Sequence, residues 1–352
     1  MLLIAAMAAA LWGLGVVMNA PVRLRMGMIG GLWLAVVLAH ALLPEGNPLR
    51  VATGGDLRVW LSLGVVAGII GLYRAVISGL HRRAAPVAET PPRSGSFRPA
   101  ELDRYSRHII LREIGGPGQQ RLKAAKVLVV GAGGLGSPAL MYLAASGVGV
   151  LGVVDADSVD NTNLQRQIIH ADARIGMPKV FSAEIALRAL NPFIDIRPYN
   201  RRLDEESAAS LIADYDLVLD GTDNFDTRYL VNRICARLGK PLISGAITQW
   251  EGQLSLFDPS SGAPCYECVF PVRPAPGMVP SCAEAGVAAP LPGVIGAMMA
   301  MEAVKHITQA GEGLHGRLMI HDALYAQTRV IAVKPRADCP VCGSGLASAG
   351  SA

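Results

Sequence analysis

The chain opens on three long apolar runs and only later settles into short alternating ones. Met1–Ala20 carries no charge, Gly27–Pro44 is a second such run, and Val59–Leu80 is a third, broken only by Arg74. About 20 apolar residues cover the hydrocarbon core of a bilayer. The pattern predicts a membrane region over 1–80 with three transmembrane helices, approximately 1–20, 27–44 and 59–80. A cleaved signal peptide is the alternative for the first run, but it lacks a basic start and two more runs come after it.

Arginines orient this region. Arg23 and Arg25 lie between the first two runs, and Arg74, Arg82 and Arg83 end or follow the third, whereas the loop from Glu45 to Arg58 offsets its arginines with Glu45 and Asp56. Positive-inside counting places the N-terminus outside and everything after the third run in the cytoplasm, as in a multi-pass protein of the inner (cytoplasmic) membrane. Residues 81–100, rich in proline and small polar residues, read as a linker, and 346–352 as a disordered tail.

From residue 101 the period changes. LDRYSRHIILREIG reads as an amphipathic helix, KVLVV as a buried strand, PALMYLAASG as a helix and GVLGVVDAD as a second strand. A helix opens after Pro178. Beyond it come the strand FIDIRPY, the helix EESAASLIADY, the strand DLVLD, the helix FDTRYLVNRICARLG, and the strands PLISGAI and GQLSLFD. Strands alternating with helices predict an α/β domain over 101–345, a doubly wound, mostly parallel, Rossmann-like sheet with ligands at the strand C-terminal ends. Asp155, Asp157, Asp220 and Asp223 all fall at such ends.

Composition sharpens the division. The chain is 51% hydrophobic and 17% charged, with the apolar excess at its start. Its net charge of +4 is largely juxtamembrane. That suits anionic lipid head groups, and the absence of a basic-aromatic patch argues against nucleic acid.

The chemistry begins with Gly131, Gly133, Gly134 and Gly136, between the first strand and its helix. Glycine lets a phosphate approach the backbone, and the helix N-terminus offers free N–H groups and a positive dipole end. Asp155 is placed for a ribose hydroxyl. These features alone leave the nucleotide open, and an NAD-dependent membrane oxidoreductase would share them. Such an enzyme has no use for the charged and amide groups beyond Asp155. Asn163, Arg166 and Lys179 bring an amide and two cations to the nucleotide, and Asp223 adds a carboxylate suited to Mg²⁺. Chemistry at the α-phosphate of ATP needs that set, because charge builds on the phosphoryl oxygens. A non-catalytic membrane scaffold would not need to keep all of it.

Cys265–Cys268 and Cys339–Cys342 are two CxxC pairs, the pattern of a closed structural Zn²⁺ site rather than a redox pair. Cys235 reads as a buried, inert thiol in a helix. Cys282 stands apart in an irregular, proline-rich stretch.

DRYSRHIIL, GAGGLGS, DADSVDNTNLQRQ, GMPKV, DGTDN, EGQLSLFD, CYEC, SCAEAGVAAPLPGVIG and CPVC occur in this order between Asp103 and Gly343. Together they resemble the MoeB/ThiF/HesA family of ubiquitin-activating-type adenylyltransferases. The resemblance implies ATP-dependent adenylation of the C-terminal Gly-Gly carboxylate of a small ubiquitin-like sulfur-carrier protein, preparing it for thiocarboxylation. It implies that Asp155 holds the ribose, that Gly134 lies against the adenosine phosphate, that Asn163, Arg166 and Lys179 handle the phosphates, and that Asp223 holds Mg²⁺. Arg107 matches an arginine that reaches into a neighbouring subunit's site, which implies a homodimer. The tRNA-modifying dehydratases of the same superfamily are a further branch, and the four cysteines favour MoeB/ThiF. With no rhodanese-like segment after Gly343, the sulfur donor is expected to be a separate protein. Two readings of Cys282 stay open, a packing residue in a loop over the carrier tail or a thiolate forming a covalent link in sulfur transfer.

Overall fold

The computed structural model describes residues 1–18, 20–54, 56–83, 97–275 and 282–343. Most of the expected linker, the stretch 276–281 and the expected tail lie outside them. The chain divides into two compact units, Met1–Pro91 and Pro92–Ala352.

The first unit holds α1 (Leu2–Val17), α2 (Val22–Leu42), α3 (Pro48–Thr53) and α4 (Leu57–Arg83). Ile4, Val36 and Trp60 form its small core. Gly64 makes room for Trp33, since a Cβ there would lie 2.2 Å from the indole ring. The indole N–H of Trp33 donates to the Trp60 carbonyl at 2.9 Å, and that of Trp60 to the Gly54 carbonyl at 2.9 Å. The terminal amine of Met1 donates to the Thr53 carbonyl, so the N-terminus meets the end of α3. His40 bonds Thr53 Oγ1 at 2.9 Å.

This unit departs from the sequence pattern in two respects. The loop from Glu45 to Arg58 contains α3, capped by the Asn47 side chain on the Leu49 N–H. Where three spans are expected, two stretches among the described residues are long and apolar enough to cross a membrane, Leu24–Leu42 and Leu57–Arg74. Helix α1 has 16 residues and falls short, about 24 Å at 1.5 Å per residue against a hydrocarbon core of about 30 Å.

The second unit is built on an eight-stranded sheet in the order β3-β2-β1-β4-β5-β6-β7-β8. Its strands are β1 (Lys126–Val130), β2 (Val150–Val154), β3 (Asp195–Tyr199), β4 (Leu217–Asp220), β5 (Leu242–Ile247), β6 (Glu251–Phe257), β7 (Arg317–Asp322) and β8 (Gln327–Ala332). The first five are parallel and the last three antiparallel. Strand order reverses between β1 and β4, which opens a crevice at their C-terminal ends.

Helices cover both faces. Residues of α6 (Gly115–Ala124), α7 (Gly136–Ser146), α8 (Lys179–Leu190) and the long α13 (Pro290–Thr308) share one core with the sheet. On the other face α9 (Glu205–Ala213), α10 (Phe225–Leu238) and the single-turn α11 (Tyr266–Val269) share a second. The remaining helices are α5 (Pro99–Ile110) and the short α12 (Cys282–Ala285).

The expected helix from Leu102 to Gly115 is two helices. Helix α5 ends at Ile110, Leu111 is extended, and Gly115, at φ +59°, starts α6 in a conformation that glycine takes without strain. Glu101 fixes the start of α5 by accepting the Arg98 N–H at 2.9 Å and pairing with Lys123 at 2.7 Å.

Candidate functional site

The crevice is formed by backbone before side chains. Gly131 leaves β1 at φ +94°, and its N–H donates to the Val154 carbonyl at 2.8 Å. Gly136 opens α7 so close to the strand that a Cβ would fall 1.8 Å from the Gly131 carbonyl oxygen. A side chain at Gly131 would meet Gly221 and Thr222, so the turn after β4 lies directly against the turn after β1. The glycine turn and the positive end of α7 thus lie at the switch point.

Asp155, half-buried at the end of β2, accepts the Ala132 N–H at 2.8 Å on one oxygen and the Asp157 N–H at 2.8 Å on the other. Burial pushes its carboxyl above the usual range, and the nearby Lys179 pulls it back only in part. Lys179 opens α8 and is itself buried, with its ammonium 2.9 Å from the exposed carboxylate of Asp157. The Asp157 carboxylate thus faces the Lys179 ammonium beside Asp155.

Asn163 and Arg166 come next, on a short 3₁₀ turn and just past it. Asn163 Oδ1 accepts from the Arg166 guanidinium at 2.8 Å, and the same guanidinium donates to the Thr162 carbonyl at 3.2 Å. Arg166 Cδ would lie 3.8 Å from a Cβ at Gly134, so the arginine stem lines the glycine turn. Of the residues the sequence singles out, Gly131, Gly133, Gly134, Gly136, Asp155, Asp157, Asn163, Arg166 and Lys179 therefore gather at one place. Asp223, exposed on the turn after β4, adjoins them through Thr222.

Two further residues join the site without a sequence expectation. His170 bridges the Ala132 carbonyl at 2.9 Å and Ser182 Oγ at 2.9 Å, tying the glycine turn to α8. Burial holds its imidazole below the ordinary value, which suits a neutral ring donating from Nε2 and accepting at Nδ1. Gln167 is buried beside Gly133 with its Oε1 lacking a hydrogen-bond partner. Both sit at the end of the polar run NTNLQRQIIH. That position was the available signal, and only the fold turns these side chains inward.

The Asp223 turn is held from below. Asp220, fully buried, accepts the Thr222 N–H at 3.0 Å and the Thr222 hydroxyl at 2.6 Å on Oδ1, and the Ser244 hydroxyl at 3.0 Å on Oδ2. Arg228, from α10, pairs with Asp220 at 3.3 Å. It also donates to Ser244 Oγ at 2.6 Å and to the Thr222 carbonyl. Asn224 caps α10 by accepting the Thr227 N–H at 2.8 Å.

Arg107 is exposed on α5. The side chain of Cys282 lies outside the described residues. Cys265, Cys268, Cys339 and Cys342 form a second cluster with all four sulfurs within 4.8 Å of one another. Separations of 3.6 Å (Cys265–Cys339), 3.9 Å (Cys265–Cys268) and 3.3 Å (Cys268–Cys342) bracket the about 3.8 Å expected between thiolates on a tetrahedral zinc. The Arg336 N–H points at Cys268 Sγ from 3.3 Å, as backbone donors to metal-bound thiolates do. Burial pushes the Cys265 thiol up, so gathering thiolates here requires a cation. The donor set fits zinc.

Residues 105–341 match the ThiF family. The chain is 48% identical over 250 residues to the SAMP-activating enzyme E1 of Haloferax volcanii, covering 71% of this chain and 92% of that protein. It is 50% identical over 247 residues to the sulfur carrier protein adenylyltransferase of Thermus thermophilus, covering 69% and 91%. Among solved structures, E. coli MccB with ATP superposes with a TM-score of 0.60 at 25% identity, over 68% of this chain and 74% of that one. With the glycine turn, its flanking cations and the four-cysteine knuckle in place, the chain belongs to the ThiF family.

Proposed function

We propose that the enzyme adenylates the C-terminal carboxylate of a ubiquitin-like sulfur-carrier protein, using ATP and releasing pyrophosphate. The observation that carries this is one cation along the glycine turn and a second beside the acids that follow β2. Arg166 lies along Gly134, and Lys179 is buried against Asp157 beside the Asp155 carboxylate. The activities for which the two relatives are named, at 48% and 50% identity, agree with it.

In this reading a carboxylate oxygen of the carrier attacks the α-phosphorus, the bond to the bridging oxygen of the β-phosphate breaks, and pyrophosphate leaves. No general base is needed, since the carboxylate is already ionised at neutral pH. The enzyme aligns the reactants and neutralises developing charge. Asp155 accepts from the ribose, the Gly131–Gly136 turn and the start of α7 receive the phosphates, and Arg166 and Lys179 face the charge that builds. Asp223 would hold Mg²⁺, which supplies further neutralisation at the phosphates. The four cysteines would hold a structural Zn²⁺. Arg107 would complete the site of a second copy in a homodimer.

The first unit we read as the membrane attachment. Leu38 and Val65, Ile69 and Leu72 on α2 and α4 are roughly half to two-thirds exposed, an apolar surface that water does not favour. Carrier-dependent ATP–pyrophosphate exchange tests the chemistry. Asp223→Ala and Arg166→Ala should each reduce it by about two to three decades with the fold intact, the cost of one stabilising group at a developing oxyanion. Wild-type rates in both variants would refute the assignment.

A further inference from the structure

The four-cysteine knuckle and the nucleotide crevice are connected through one aromatic ring. Tyr266 directly follows Cys265 and opens α11. Its backbone N–H donates to the Asn232 side chain on α10 at 2.8 Å. The buried ring packs against Tyr229, Phe257 and Phe270 at 5.3, 5.6 and 4.7 Å between centroids. The Arg228 guanidinium lies 5.7 Å from the centroid of the same ring. From there Arg228 reaches Asp220, Ser244 and the Thr222 carbonyl, one residue before Asp223.

A buried ion pair is a poor way to gain stability, because desolvation of both charges offsets their attraction. What Arg228 does supply is geometry. One rigid fork holds the end of β4, β5 and the turn carrying Asp223, and the Tyr266 ring fixes the plane of that fork. We propose that Tyr266 and Arg228 are positioning residues through which the four-cysteine knuckle sets the Asp223 turn, so that loading the knuckle tunes how the crevice takes the Mg²⁺–ATP pair. This rests on the reading of Asp223 as the Mg²⁺-binding carboxylate, and the test separates the two.

The measurement is the Mg²⁺ midpoint for binding a non-hydrolysable ATP analogue to the full-length protein, which needs no turnover. Asp223→Asn calibrates it. Arg228→Lys, which keeps the charge and loses the fork, and Tyr266→Leu should each raise the midpoint about three- to tenfold, the usual size of coupling through packed networks. Zinc content should stay at one ion per chain, and Tyr266→Phe should restore the wild-type value. Stripping zinc should raise the midpoint of the wild type but not raise it further in Tyr266→Leu, since both changes cut the same link. A merely structural Tyr266 would lower the melting temperature and leave the midpoint in place. If Asp223→Asn moves the midpoint and neither Tyr266→Leu nor Arg228→Lys does, the positioning role is wrong and the Asp223 reading stands. If Asp223→Asn does not move it, the reading of Asp223 fails and the inference with it. Should Tyr266→Leu fail to fold, Arg228→Lys alone decides.

Discussion

Asp155 carries a stability cost that its proposed role at the ribose would explain. Its carboxylate already accepts two backbone N–H groups, yet burial keeps its pKa above the ordinary range. A raised value in the folded state means the proton binds more tightly there than in the unfolded chain. The associated penalty is absent below the ordinary carboxylate range and is complete once pH exceeds the raised value. Ribose recognition needs the ionised form, which accepts hydrogen bonds and donates none. Affinity for an ATP analogue should therefore weaken as pH falls through a window that begins above the ordinary aspartate value. Titration calorimetry across pH checks this, and Asp155→Asn should flatten the profile. A wild-type profile that is already flat through that window would show that Asp155 makes no contact with the nucleotide. Gly136 makes the complementary point. Its identity is forced by the Gly131 carbonyl, which sits where any β-carbon would go.

Among the elements, the cysteine knuckle joins parts of the chain that are far apart in sequence, with Cys265 and Cys268 at α11 and Cys339 and Cys342 beyond β8. A closed four-thiolate site has no open position, so its metal contributes folding free energy rather than a reactive centre. One zinc per chain is expected by metal analysis. Chelation or Cys339→Ser should lower the melting temperature and expose the segment after β7 to protease before the β1–α7 unit. Iron–sulfur absorbance, or intact stability after chelation, would overturn this. The same scale explains which elements escaped the sequence. Helix α13 is buried at Leu291, Ile295, Met299, Ala300, Ala303 and Val304 and so shows no strong apolar stripe. Strand β8 is exposed along its whole length and shows no alternation either. Both periodicity signals need one face wet and one face dry.

At the scale of the whole molecule, two proposals reach beyond a single catalytic unit. If Arg107 completes the site of a second copy, Arg107→Ala and Asp223→Ala should each be inactive alone and recover exchange activity when mixed, because one site of the mixed dimer then holds both wild-type groups. Failure to complement across a range of mixing ratios would remove the shared site. For the membrane, the Met1 amine at the Thr53 carbonyl puts the N-terminus and α3 at the same end of the first unit. The excess arginines, Arg23, Arg25, Arg74, Arg82 and Arg83, belong to the opposite ends of α2 and α4. A reporter inserted at Asn47 should read external and one fused after Ala352 cytoplasmic. The reverse pattern would contradict the arginine count.

The parallel α/β class, the glycine turn, the acids at strand ends and the paired cysteines were legible in the chain because each is written locally. A buried strand, a turn that needs glycine, a helix start and a CxxC pair each occupy a few adjacent residues. Local signals also placed Asn163 and Arg166 on one polar stretch and Lys179 at the helix start that follows it, and the family resemblance gave them roles. Only the tertiary structure decided that the β4 turn lies against Gly131, that Gln167 and His170 turn inward, that β6, β7 and β8 run antiparallel, and that α1 stops at 16 residues. The first three of these depend on contacts between segments distant in sequence, from Gly131 to Gly221 and from Leu254 to Met319. The length of α1 depends on where the chain must turn to pack against α2, which an unbroken apolar run does not show.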